Sequence, residues 1–246
     1  MSTLAAVLEK FDASKAKVRK EIREGFFNTD GSLAITEDEL RAWIADRAVD
    51  ELKVVMQLSA VLTKAAHHLP ARMLVQVTEQ VSDEARHFDI LRGLVPAHLQ
   101  AMVDAKVAEL PAKLAQDTSW ASLMVSVEAG NPFAALLDIN IVHEGYSAAA
   151  IEELADIPFD DIRQAYAGIG ADEEKHHESG RELLEWLARA STADQLTHQV
   201  VAGAHERAGG GAMSWSWPAA DTAAIVEGAH ERAAGGAMSW SWPAAK

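Results

Sequence analysis

Asp172-Glu173-Glu174-Lys175-His176 has an earlier echo in the chain, Asp83-Glu84-Ala85-Arg86-His87. Both stretches read D-E-x-x-H, and both lie inside long helical patterns. On an α-helix, residues three apart occupy one face about one turn from each other, so each Glu and His pair can address a single metal ion. One such pair carries little information. Two, each preceded by Asp and each set on an apolar stripe, pose a sharper question: whether each has a lone inward Glu on a partner helix upstream.

Reading outward from these motifs, the chain is helical almost throughout. Residues Thr3 to about Phe26 form an amphipathic pattern with Leu4, Val7, Leu8, Phe11, Val18 and Ile22 on one face. Asn28-Thr29-Asp30-Gly31-Ser32 is a turn, and Thr36 with Glu39 forms a capping box that opens a helix running to about His67. The apolar stripe of that helix is Ile44, Ala48, Val55, Leu58 and Leu62, and Glu51 falls in it. Pro70 starts a third helix, to about Gly93, whose stripe (Met73, Val77, Val81, Phe88, Leu91) carries Glu84 and His87.

Residues from about Ala97 to Ala115 read as a crossover helix with a kink or break at Pro111. Asp117-Thr118-Ser119 caps a helix near Trp120, which Gly130-Asn131-Pro132 interrupts. The pattern resumes as one helix from Phe133 to about Ala155, with Glu144 in line with Phe133, Leu137, Ile141, Ala148 and Ile151; Glu128, before the break, is a rival on a poorer stripe. The last helix spans about Asp160 to Ala190, and Ile162, Tyr166, Ile169, Glu173, His176, Gly180, Leu183 and Leu187 share its apolar line.

Glu51 lies 33 residues before Glu84, and Glu144 lies 29 before Glu173. Either interval suffices to finish a helix, turn and return to the same depth at about 1.5 Å per residue. Antiparallel neighbours thus bring each lone Glu level with a Glu-His pair, so that four carboxylates and two imidazoles meet inside a four-helix bundle. Unpaired carboxylates are costly to bury, and two divalent cations would offset them.

This arrangement resembles the ferritin-like di-iron carboxylate superfamily, in which two helices each supply a Glu and two others each supply a Glu-x-x-His. The resemblance covers about Glu37 to Ala190. It implies an all-α, ferritin-like four-helix bundle with an extra N-terminal helix, a long crossover between core helices 2 and 3, and a repeat-containing tail. Carried over by position, Glu51, Glu84 and His87 would serve one metal and Glu144, Glu173 and His176 the other, with Glu84 and Glu173 bridging. Asp83 and Asp172 would each accept the N–H of the opposite imidazole. The resemblance further implies two iron ions, as Fe/Fe or Mn/Fe, and an oxygen-dependent oxidoreductase. Such a centre acts with dioxygen on an organic or peptide substrate, or alternatively oxidises iron for storage. Tyr166, two turns before Glu173, is read as core, with a redox or proton-relay role as the alternative. His67, His68, His143 and His177 are read as surface or structural.

Composition narrows the remaining classes. The formal net charge of −15 argues against nucleic acid and anionic membranes as partners. Without cysteine, disulfides, thiolate metal sites and thiol nucleophiles are excluded, leaving oxygen and nitrogen ligands. The N-terminal residues show no signal-peptide pattern, and no run of about 18 apolar residues spans a bilayer; the expectation is a soluble cytoplasmic protein, with its oligomeric state, homo-oligomer included, left open.

Three parts result: an N-terminal helix and turn (1–36), the di-metal bundle (37–190), and a tail (191–246). The tail contains near-identical repeats at 204–220 and 229–245, which differ only at Gly209 and Ala234 and carry Trp215, Trp217, Trp240 and Trp242. Repeated Ser-Trp-Ser-Trp-Pro suits a docking peptide for a protein partner or shell. The alternatives, ranked behind it, are a tandem peptide substrate fused to its modifying enzyme, or tryptophans that pack on the bundle.

Overall fold

A computed structural model of the chain describes residues 3–190. The expected boundary near residue 191, the repeats and the short helical pieces between them lie outside the described residues. Helix α1 spans Thr3–Phe26, α2 Glu37–Ala65, α3 Ala71–Leu94, α4 Ala97–Gln116, α5 Thr118–Glu128, α6 Phe133–Leu137, α7 Glu144–Leu154 and α8 Asp160–Ala190. A 3-10 turn follows α2 over Ala66–His68, and a π-helical segment, Asp138–His143, joins α6 to α7. Among the described residues no helix is long and apolar enough to cross a membrane.

Local chemistry sets most boundaries. After α1, Gly31 adopts φ 84°, and the Asn28 N–H donates to the Ser32 carbonyl to close the turn. Thr36 and Glu39 then exchange the expected capping-box bonds: the Glu39 N–H donates to Thr36 Oγ1 at 3.2 Å, and the Thr36 N–H to Glu39 Oε2 at 2.8 Å. Asp117 caps α5 by accepting from the N–H groups of Ser119 and Trp120, each at 3.0 Å. The break after α5 is made by Gly130 at φ 86°, followed by Asn131 and Pro132.

Three expectations need correction. Helix α4 continues through Pro111 rather than breaking there; the ring sits on the exposed face, where the missing N–H costs the core nothing. On α2 the fully buried valines are Val54 and Val61, one position before the expected Val55 and Leu62. Phe133 to Leu154 is not one regular helix, because the π turns widen the coil just before Glu144. The cause lies on α8. A Cβ on Gly180 would fall 2.8 Å from Asn140 Cβ, so α8 presses directly on the widened turn, and His177 Nδ1 lies 3.3 Å from the Asn140 carbonyl oxygen. π turns mostly occur as local bulges near functional sites.

The core divides into two apolar ends. One gathers Val54, Leu58 and Val61 of α2, Val77 of α3, Leu123 of α5, Phe133 and Leu136 of α6, and Leu183 and Leu187 of α8. The other gathers Ile44 and Ala48 of α2, Leu91 of α3, Ala150 and Leu154 of α7, and Ile162 and Ile169 of α8, with Ile22 and Phe26 of α1. Following the chain through these ends gives the topology. Helices α2 and α8 run one way, while α3 and the composite helix α5–α7 run the other. Since α3 finishes at the end opposite the start of α5, α4 must travel back, and its 20 residues cover about 30 Å. The core is thus consistent with a four-helix bundle containing a long crossover. Helix α1 lies against α7, tied there by Arg23 to Glu153 and Asp156.

Candidate metal centre

On each core helix, one acidic segment falls between the two apolar ends: Glu51 on α2, Glu84 and His87 on α3, Glu144 on α7, Glu173 and His176 on α8. All six side chains meet there. Glu84, His87 and Glu173 are 0 % exposed, and Glu144 and His176 are 2 % exposed, whereas the Glu51 side chain remains 14 % exposed. Ligand-type atoms of Glu51, Glu84, His87 and Glu173 lie within 4.8 Å of one another, as do those of Glu84, Glu144, Glu173 and His176. Two clusters therefore share Glu84 and Glu173.

Each shared carboxylate presents one oxygen to either imidazole. Glu84 Oε2 is 3.3 Å from His87 Nδ1, and its Oε1 is 3.1 Å from His176 Nδ1. Glu173 Oε1 is 3.4 Å from His87 Nδ1, and its Oε2 is 3.6 Å from His176 Nδ1. The rings themselves are 6.2 Å apart. Glu84 Oε2, both oxygens of Glu173 and both Nδ1 atoms are buried without a well-formed hydrogen bond among the described residues. Such orphaned atoms are expensive unless something binds them. Carboxylate oxygens with imidazole nitrogens are the donor set of non-haem iron and manganese, so the residues present fit a pair of such ions. The site resembles a di-iron carboxylate centre. No family model matches the chain, and neither a curated protein nor a solved structure matches it significantly.

The imidazoles are held from behind. His87 Nε2 is 3.3 Å from Asp172 Oδ2, and His176 Nε2 is 3.2 Å from Asp83 Oδ2. A carboxylate only accepts, so Nε2–H donates in each pair and Nδ1 is the atom turned toward the cluster. Arg86 couples the two aspartates, donating to Asp83 Oδ1 at 2.9 Å and to Asp172 Oδ2 at 2.6 Å. Burial works against the Asp83 carboxylate, but His176, Lys175 and Arg86 hold it below the usual range.

Within the cluster, protons are partitioned. Burial, with the charges of Glu173 and Glu84, pushes Glu51 well above the carboxylate range; the same causes raise Glu144. Burial also opposes ionisation of Glu84 and Glu173, and the Glu84 charge acts against Glu173 too, yet the facing imidazoles and acids keep both low. Burial disfavours the imidazolium forms, but the carboxylates of Glu173 and Glu84 outweigh it and lift His87 and His176 to about 10. The ion-free cluster thus favours protons on Glu51, Glu144 and both imidazoles, which offset the charges of Glu84 and Glu173. Exchanging those protons for two divalent cations conserves that balance.

The alternatives fall away on position. Glu128 is exposed and pairs with Lys64 at 3.2 Å. Arg47 is engaged with Asp50 at 2.8 Å. His67 and His68 are exposed and stack on each other, His143 is half-buried, and His177 braces the π segment. Tyr166 is buried 6.3 Å from Trp43, and its hydroxyl finds no hydrogen-bond partner among the described residues. Burial drives its phenol up, with Arg47 opposing and Glu51 adding.

Two participants escape the motif reading. Gln80 is 2 % exposed and donates through Nε2 to Glu144 Oε1 at 2.9 Å and to Glu84 Oε1 at 3.3 Å. Arg86 stands inside the D-E-x-x-H motif but reads there as a solvent-facing residue. The signal for Gln80 was its place one turn before Glu84 on the inward face.

Proposed function

We propose that this protein is a non-haem di-iron oxidase or oxygenase that uses dioxygen to oxidise an organic substrate. Glu51, Glu84, His87 and Glu173 would hold one iron, and Glu84, Glu144, Glu173 and His176 the other; a manganese in one position suits the same ligands. Such a pair, once bound, supplies the electrons that reduce dioxygen. The chain's own contributions are orientation of the imidazoles by Asp83 and Asp172, a charge-neutral exchange of protons for cations, and exclusion of water by the two apolar ends.

The observation that favours an organic substrate over iron storage is an open, largely apolar groove of about 540 Å³ between α7 and α8, lined by Ala148, Ile151, Ala155, Tyr166, Ala167 and Gly170. None of the six candidate ligands lines this groove; its residues Ala148 and Gly170 stand four and three positions from Glu144 and Glu173 along α7 and α8. Small side chains leave the space, and Glu152, Arg163 and Glu174 at the rim supply charges for orientation. Iron storage needs no such apolar recess. The tail offers a peptide substrate on the same chain, or a docking element for a partner or shell.

Anaerobic titration with Fe(II), followed by oxygen and read by absorption and intact mass, tests this. Two irons per chain, with an oxygen-dependent transient and no growing ferric mineral, is the expected result. A mass change within 191–246 would identify the tail as substrate. Continued ferric accumulation beyond two irons would instead favour the storage reading, and absence of iron uptake would end both.

A further inference from the structure

The two halves of the centre look alike in sequence but are braced differently. Four residues before Glu84 stands Gln80, whose amide nitrogen contacts both Glu84 and Glu144. Four residues before Glu173, at the corresponding place on α8, stands Ile169, buried and apolar. Glu84 is held as a carboxylate and only accepts, so the NH₂ end of Gln80 faces the pair, and Nε2 serves both Glu144 and Glu84. No buried amide braces Glu51 among the described residues; that carboxylate is instead the most exposed of the four. One half therefore has its lone carboxyl buried and tied by an amide, and the other has a lone carboxyl that is partly exposed and lacks that tie.

We infer that Gln80 is a positioning residue that fixes the Glu144 carboxylate, so that the Glu144–His176 position fills with metal before the Glu51–His87 position. The inference rests on the di-metal reading above and deepens it. Orienting a carboxylate before the ion arrives removes a conformational cost from binding at that position alone. The donated hydrogen bond also commits Glu144 Oε1, leaving Oε2 for the ion. The Glu51 side gains neither effect, and its partial exposure suits it to exchange an ion or admit a small molecule.

The test uses Co(II) as probe, with binding read by absorption and calorimetry on the full chain. Glu51→Ala leaves only the Glu144–His176 position, and Glu144→Ala leaves only the Glu51–His87 position. Gln80→Met, a near-isostere without the donor, is added to each. In the Glu51→Ala background it is expected to weaken Co(II) by about 10- to 100-fold, the usual cost of losing a group that orients a ligand. In the Glu144→Ala background the loss should be clearly smaller, since Gln80 there keeps only its longer contact to the shared Glu84 and none to a ligand of that position alone. The wild-type chain should show two steps, the tighter one matching Glu51→Ala. Should Gln80→Met unfold the chain, Gln80→Asn, which keeps the amide but shortens its reach, carries the same expectation. Equal losses in both backgrounds, or none in Glu51→Ala, would overturn the positioning role while leaving the di-metal centre intact. A wild-type chain that bound no Co(II) would overturn the di-metal reading, and this inference with it.

Discussion

His176 on α8 reaches across the bundle to Asp83 on α3, Nε2 to Oδ2 at 3.2 Å, so each D-E-x-x-H motif supplies the brace for the other's imidazole. The motif is thus a reciprocal unit: its Asp serves the far ring while its Glu and His face inward. Arg86, between the two aspartates, makes this a closed charged network at the edge of the centre.

That network predicts the effect of Asp83→Ala. Without its acceptor, the His176 ring loses its fixed tautomer, and metal affinity at the Glu144–His176 position should fall by about 10- to 100-fold. Co(II) titration checks this, and Asp172→Ala should act in the same way on the His87 side. Unchanged affinity in both variants would show that the aspartates only support folding.

The sharing of Glu84 and Glu173 by both clusters predicts that either Glu84→Ala or Glu173→Ala abolishes stoichiometric binding of two ions. Metal analysis after desalting gives the answer. Retention of both ions by either variant would rule out bridging.

Proton bookkeeping gives a further expectation. Burial and neighbouring carboxylates raise Glu51 and Glu144, and His87 and His176 are lifted to about 10. Loading two divalent cations should therefore release protons, those of the two imidazoliums included, and affinity should climb as pH rises toward about 10. Calorimetry in buffers of differing ionisation enthalpy measures the release. Fewer than about two protons per pair of ions would contradict the partition.

Stability of the ion-free chain should follow the same groups. Folded-state values raised above the unfolded ones mean that the native state binds more protons, so stability falls as pH rises. The histidine contribution is fully present below the unfolded value of 6.5 and is lost as pH climbs through about 10. Raised Glu51 and Glu144 add to that loss from about 4.5 upward. Glu84, held low, contributes in the opposite sense, its share present above 4.5 and lost in acid. Thermal melts from pH 6 to 10 should show a falling midpoint without metal and a much flatter one with it; a rising midpoint without metal would refute this.

Gly180 is where α8 meets the π segment, and Gly180→Ala would place a Cβ 2.8 Å from Asn140 Cβ and 3.0 Å from its carbonyl carbon. Backbone cannot yield as a flexible side chain does, so a destabilisation of about 1–3 kcal/mol is expected. Because the same turns set the approach to Glu144, metal binding at that position should weaken too. Chemical denaturation and Co(II) titration on the same variant measure both.

The legible part of this protein is what repeats along one helix. Glu and His three apart, preceded by Asp, declare an inward polar pair whatever surrounds them, and Glu51 and Glu144 announce themselves by interrupting apolar stripes. The spacing of those interruptions placed them at one depth, and the turn chemistry of Gly31, Thr36, Asp117 and Gly130 marked the helix ends. Relations between helices were decided only by the tertiary structure. The crossed Asp–His pairing is an expectation of the resemblance, but the ties made by Gln80 and Arg86 depend on side chains 64 and 86 residues apart meeting across the bundle. The π segment is of the same kind. Its local pattern reads as ordinary helix, and the widened turns exist because Gly180 lets α8 come close while His177 meets the Asn140 carbonyl. Periodicity records the face a residue takes on its own helix, and a contact between two helices has no period to record.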